Sequence, residues 1–95
     1  MRYSNNNLNT LIIKKTFDFY DEIPLTVGDN KIPYNLTELI QGYKIFMIRP
    51  LIAYSNSHIP AQITFTGYYS PIGIMRAYSN TNVSIRLFLE VLLVK

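Results

Sequence analysis

The segment "VSIRLFLEVLLVK" at Val83 to Lys95 constrains the fold more than any other stretch. Val83, Ile85, Leu87, Leu89, Val91 and Leu93 fall on one side of a two-residue period. Ser84, Arg86, Phe88, Glu90, Leu92 and Val94 fall on the other. Such alternation marks a β-strand, because successive side chains point to opposite faces of a sheet. The first face is uniformly apolar, whereas the second starts polar and ends apolar. One apolar face suffices for a core, so Phe88, Leu92 and Val94 need a further cover. A subunit interface is the preferred cover, with the chain's own N-terminal strand as the alternative.

The rest of the chain follows the same period. "LIIKKTFDFY" sets Leu11, Ile13, Phe17 and Phe19 against Lys14, Thr16 and Asp18. "GYKIFMIRPLIAY" carries Ile45, Met47 and Leu51 on one side and Phe46, Ile48 and Ile52 on the other, the pattern of a strand covered on both faces. Pro50 cannot donate a ladder hydrogen bond, so a bulge, a bend or an edge position is expected there. "AQITFTGYY" alternates again, and "SPIGIMRAY" follows it. "DEIPLTVGDNKIPYN" reads as a short edge strand over Leu25 to Val27 and then a turn. "NLTELI" fits one helical turn, with Asn35 as N-cap and Glu38 three residues on. No segment has a helical heptad. The expected fold is all-β, an antiparallel, jelly-roll-like β-sandwich over residues 9–95, preceded by a flexible tail over residues 1–8 that could alternatively order on a partner.

The chain has 95 residues, the size of one domain, and a chain this small buries only about 60 to 65% of its unfolded surface, which makes oligomerisation attractive. It contains no cysteine, so packing alone must hold the core. The formal charge is +3, but the nine basic residues are scattered, and only Lys14 and Lys15 are adjacent. Counterion-releasing contact with nucleic acid needs a clustered basic surface, so no nucleic-acid partner is expected. The polar start "MRYSNNNLNT" lacks a signal-peptide core, and no apolar run approaches a membrane span, so a soluble protein is expected.

"AYSN" occurs twice, at Ala53 to Asn56 and Ala77 to Asn80. A shift of 24 residues also lays Leu51 on Met75, Ile59 on Val83, Ile63 on Leu87 and Phe65 on Leu89. The echo reads as two similar hairpin tips, with Ser and Asn supplying turn hydrogen bonds. Tips on one end of a sandwich would form a joint surface, which makes Tyr54, Asn56, Tyr78 and Asn80 candidates for receptor or glycan contact.

Catalytic chemistry has little to stand on. His58 is the only histidine, one ligand where a zinc site needs three or four, and the group Asp18, Asp21 and Glu22 reads as a solvated strand end. There is no phosphate loop or serine-nucleophile motif. The expectation is no enzyme activity, no metal and no cofactor. "NLT" at Asn35 and "NVS" at Asn82 match the glycosylation pattern, which is read as incidental.

The C-terminal half, "GYYSPIGIMRAYSNTNVSIRLFLEVLLVK", resembles the C-terminal β-sandwich knobs of tailed-phage fibre proteins, both head fibres and receptor-binding tail fibres. The residues that carry the likeness are Gly67 and Tyr68, Pro71 to Ile74, Ser79 to Asn82, and Val91 to Lys95. The resemblance implies a homotrimeric virion protein bound to capsid or tail proteins and, in some roles, to a host cell-surface glycan. A capsid decoration protein is the nearest alternative. A small OB-like single-stranded nucleic-acid binder is a third, from a different class.

Overall fold

The computed structural model describes residues 11–55 and 61–95. The expected N-terminal tail, and with it the loop residues Asn56 and His58, lie outside them.

Among the described residues six strands form two antiparallel three-stranded sheets, an arrangement compatible with a β-sandwich. They are β1 (Ile12–Leu25), β2 (Gly28–Asn35), β3 (Lys44–Ser55), β4 (Ile63–Thr66), β5 (Ile72–Ser79) and β6 (Val83–Val94). The first sheet has the order β1-β6-β3 and the second β2-β5-β4. The C-terminal strand is thus central in its sheet. Pro24, Pro33 and Pro50 all fall on edge strands, where a missing N–H leaves no hole in the sheet interior.

The inward face of β6 is the apolar one identified from the alternation. Val83, Ile85, Leu87, Leu89, Val91 and Leu93 are all buried. Opposite them lie Met75 and Ala77 of β5 and Ile32 and Tyr34 of β2. Each fully buried aliphatic side chain of this size contributes about 1.5–3 kcal/mol relative to exposure. The strands of the second sheet are shorter than those of the first, and the connection after β2 packs on the core as well. Leu36 is fully buried there, with Leu39, Ile40 and Tyr43 packed around it. Lys15 ties the connection to β1, donating from Nζ to the Leu39 carbonyl at 3.0 Å.

Three expectations need correction, and one turn forms as expected. Residues 28–35 form strand β2, not a turn, because Pro33 sits on an edge and Asn30 supplies the turn chemistry from within the strand. Its amide oxygen accepts from Thr26 N, and its Nδ2 donates to the Thr26 and Ala77 carbonyls. β1, in turn, extends to Leu25 rather than giving way to a separate short strand. "NLTELI" makes the single turn expected of it: Asn35 Oδ1 accepts from Thr37 N at 3.0 Å, as a cap would, and Ile40 N donates to Leu36 O at 3.1 Å, one helical turn that is not continued. Finally, the two echo segments are not hairpins. β3 belongs to the first sheet and β4 to the second, while β5 belongs to the second and β6 to the first, so both segments cross between sheets.

Candidate functional site

Two surfaces carry the residues singled out from sequence. The first is the outer face of the β1-β6-β3 sheet. Across-strand register assigns its rungs: Ile12, Val94 and Lys44; Lys14, Leu92 and Met47; Thr16, Glu90 and Arg49; Asp18, Phe88 and Leu51. Phe88, Leu92 and Val94 are half-buried, flanked by Met47 and Leu51, which are 43% and 44% exposed. β3 was expected to be covered on both faces; in the single chain this face has no layer over it among the described residues. β1 supplies no such layer, because it lies beside β6 in the same sheet.

Glu90 sits in the middle of this apolar strip and is only 8% exposed. A charge there needs partners. Arg49 donates from Nε to Glu90 Oε1 at 2.8 Å and also contacts it through Nη2, and Lys14 Nζ lies 3.5 Å from Oε2. The hydrogen bond from Arg49 holds the Glu90 carboxyl below its ordinary range, against an opposing push from desolvation. One rung on, Arg86 pairs with both carboxylate oxygens of Asp18, at 3.0 and 2.9 Å, and its guanidinium lies 5.5 Å from the centre of the Phe88 ring.

The second surface is one end of the molecule. Leu25 pairs with Val83, Ser55 with Ile85 and Ile63 with Ser79, so both echo segments and the β1–β2 turn meet at the end where β6 begins. Asn80 and Asn82 tie this end together. Asn80 Oδ1 accepts from Gln62 N at 2.9 Å, and Asn82 Oδ1 accepts from Val27 N at 2.9 Å. Tyr78 is exposed on the outer side of β5, paired in register with Asp29 and Thr64. The Tyr54 backbone pairs with Arg86 in the other sheet. The two tyrosines therefore share an end but not a sheet.

Part of the charge is spent within the fold. Arg76 pairs with Asp29 at 2.6 Å, and Arg49, Arg86 and Lys14 are engaged as described. Among the described residues no three of His, Cys, Asp and Glu converge to hold a metal ion, and no helix is long and apolar enough to cross a membrane.

A feature invisible in the sequence is the bulge in β1. Four steps from Asp18 to Glu22 oppose only two steps of β6, from Phe88 to Arg86. Tyr20 on this bulge has φ 69°, a left-handed conformation uncommon outside glycine.

No protein-family model matches this chain, and neither does any curated protein or solved structure.

Proposed function

We propose that this chain is a structural subunit of a phage virion, a jelly-roll-like fibre knob or head-fibre module that acts by self-association. Its resemblance to fibre knobs supports the virion setting. The single observation that carries self-association is the uncovered outer strip Phe88, Leu92 and Val94, interrupted only by a Glu90 already matched to two cations. A charge that arrives with its partners can be buried in an interface at far lower cost than a lone one. The strip runs along the central strand with a repeat of about 6.8 Å per two residues. Three copies around an axis parallel to β6 would bring three such strips together, and the number three is what the resemblance to fibre knobs implies.

The loop end that carries Tyr78 and Asn80 remains available in that arrangement for a host-surface glycan. The rival reading, a capsid decoration protein, uses the same strip against the shell. Binding to empty capsids, compared with binding to host cells, separates the two. The OB-like reading is less favoured, since that fold is one five-stranded barrel and the strands here divide between two sheets. The test of the proposal is the oligomeric state of the full chain with Leu92→Glu as the disrupting variant.

A further inference from the structure

Among the described residues the largest concavity is a groove of about 680 Å³ beside Tyr20, between the β1 and β2 edges. Its lining is mostly apolar, and Arg86 already neutralises its one carboxylate, Asp18. Unbalanced charge marks a different place. The basic residues are scattered in the sequence, but strand pairing gathers five of them where β6 stops and β1 and β3 begin. Ile12, Val94 and Lys44 share the terminal rung, Lys95 follows Val94, and Lys14 and Arg49 stand on the next two rungs of the outer face. Lys15 is on the inner face, against the connection after β2. Only two carboxylates accompany these five cations: Glu90, which Arg49 and Lys14 share, and Glu38 in the connection. The other described residues set Lys31, Arg76 and Arg86 against Asp18, Asp21, Glu22 and Asp29. One end thus carries a surplus of three positive side-chain charges, and the rest of the described chain an excess of one negative.

The surplus is not neutralised within the fold. Lys15 Nζ donates to the Leu39 carbonyl at 3.0 Å, and Lys15 and Lys95 lie 5.5 and 5.2 Å from the centre of the Tyr43 ring. A carbonyl and a ring orient an ammonium group without cancelling its charge. Because both groups reach one ring, their separation is comparable with the Debye length, about 8 Å at physiological salt, and they repel each other. Lys44 is exposed, with no charged group against it among the described residues.

We infer that this end docks onto an acidic surface of another protein, whose carboxylates meet Lys14, Lys44 and Lys95 while Lys15 adds its charge from behind. Leu11 and Phe46, 70% and 56% exposed, lie at the same end, and a protein surface offers apolar side chains to them between its carboxylates. A nucleic acid needs a track of cations along its backbone. Here the surplus stops within three rungs, beyond which acids outnumber cations. A bilayer is flat, whereas the lysines come from both faces of the sheet and ring its end. The inference concerns the end of the sheet, so it holds for a single chain and for parallel copies alike.

The test titrates the full chain with the acetylated, amidated peptide Glu-Glu-Leu-Glu-Glu, followed by calorimetry and by backbone amide shifts. The expected result is binding that weakens as salt rises, with shifts concentrated around Lys14, Lys44 and Lys95. Lys44→Glu and Lys95→Glu should each weaken binding about tenfold. Lys31→Glu, the same charge change at another exposed position, should leave it within about twofold, with circular dichroism unchanged in all three variants. Equal weakening by Lys31→Glu and Lys44→Glu, or no binding of the peptide at about 1 mM, would overturn the inference. So would tighter binding to a thymidine dodecanucleotide or to vesicles of equimolar phosphatidylserine and phosphatidylcholine.

Discussion

Arg49 and Glu90 face each other on one rung of the β3–β6 pairing, with Arg49 Nε donating to Glu90 Oε1 at 2.8 Å in the middle of an otherwise apolar strip. Lys14 approaches from the opposite strand at 3.5 Å. The carboxylate is nearly covered, whereas Arg49 and Lys14 side chains remain more than half exposed. The rung is therefore a charge neutralised in advance, on a face with room for a neighbour.

Its pH dependence has a definite sign. The Glu90 carboxyl is held below its ordinary value in the folded chain by Arg49, so its stabilising contribution is complete above the unfolded value and fades as pH falls through the folded one. The difference in melting temperature between the natural chain and Glu90→Gln should be constant from pH 7 to about 5 and shrink below about 4.3. Thermal unfolding followed by circular dichroism checks this, and a difference that grows toward low pH would contradict it.

The centre of β6 should be the most sensitive part of the core. Leu87 and Leu89 are fully buried, so Leu89→Ala is expected to cost about 2–5 kcal/mol in denaturant unfolding. Leu51→Ala, on the outer face of neighbouring β3, should cost far less in a monomer, and any larger effect should vary with protein concentration.

Gly67 and Gly42 both have φ near +79°, yet their surroundings differ. A Cβ on Gly67 would lie 3.3 Å from the Ile74 carbonyl oxygen, while one on Gly42 meets open space. Alanine at either position meets the left-handed penalty of about 1–2 kcal/mol. Gly67→Ala should be the more destabilising of the two, measured side by side in urea.

The loop end should loosen when its asparagines are removed. Asn80→Ala and Asn82→Ala each leave a backbone N–H, of Gln62 and Val27 respectively, without its side-chain acceptor. A loss of about 1 kcal/mol for each is expected, together with faster amide exchange at Gln62 or Val27.

The long central strand was legible because one residue type in two, over twelve positions, leaves no other regular structure available. β1 was legible for the same reason up to its bulge. β2 was not, since "GDNKIPYN" has the composition of a turn, and only its edge position makes Pro33 acceptable. The "AYSN" echo was read as two hairpin tips, and the strands that flank each copy pair in different sheets instead. That the chain changes sheets at each depends on pairing partners far along the sequence, which local composition does not encode. The groove beside Tyr20 was illegible for a related reason: it is built from β1, β2 and β5 together, and a left-handed tyrosine leaves no mark in the residue pattern.

The central claim is that the strip through Phe88, Leu92 and Val94 is covered by copies of the same chain. Sedimentation equilibrium of the full chain, alongside Leu92→Glu, tests it most directly. The expected result is a particle of about three times the 11.0 kDa chain mass that Leu92→Glu returns to one chain with its circular dichroism intact. A natural chain that stays at 11.0 kDa over the whole accessible concentration range would contradict the account.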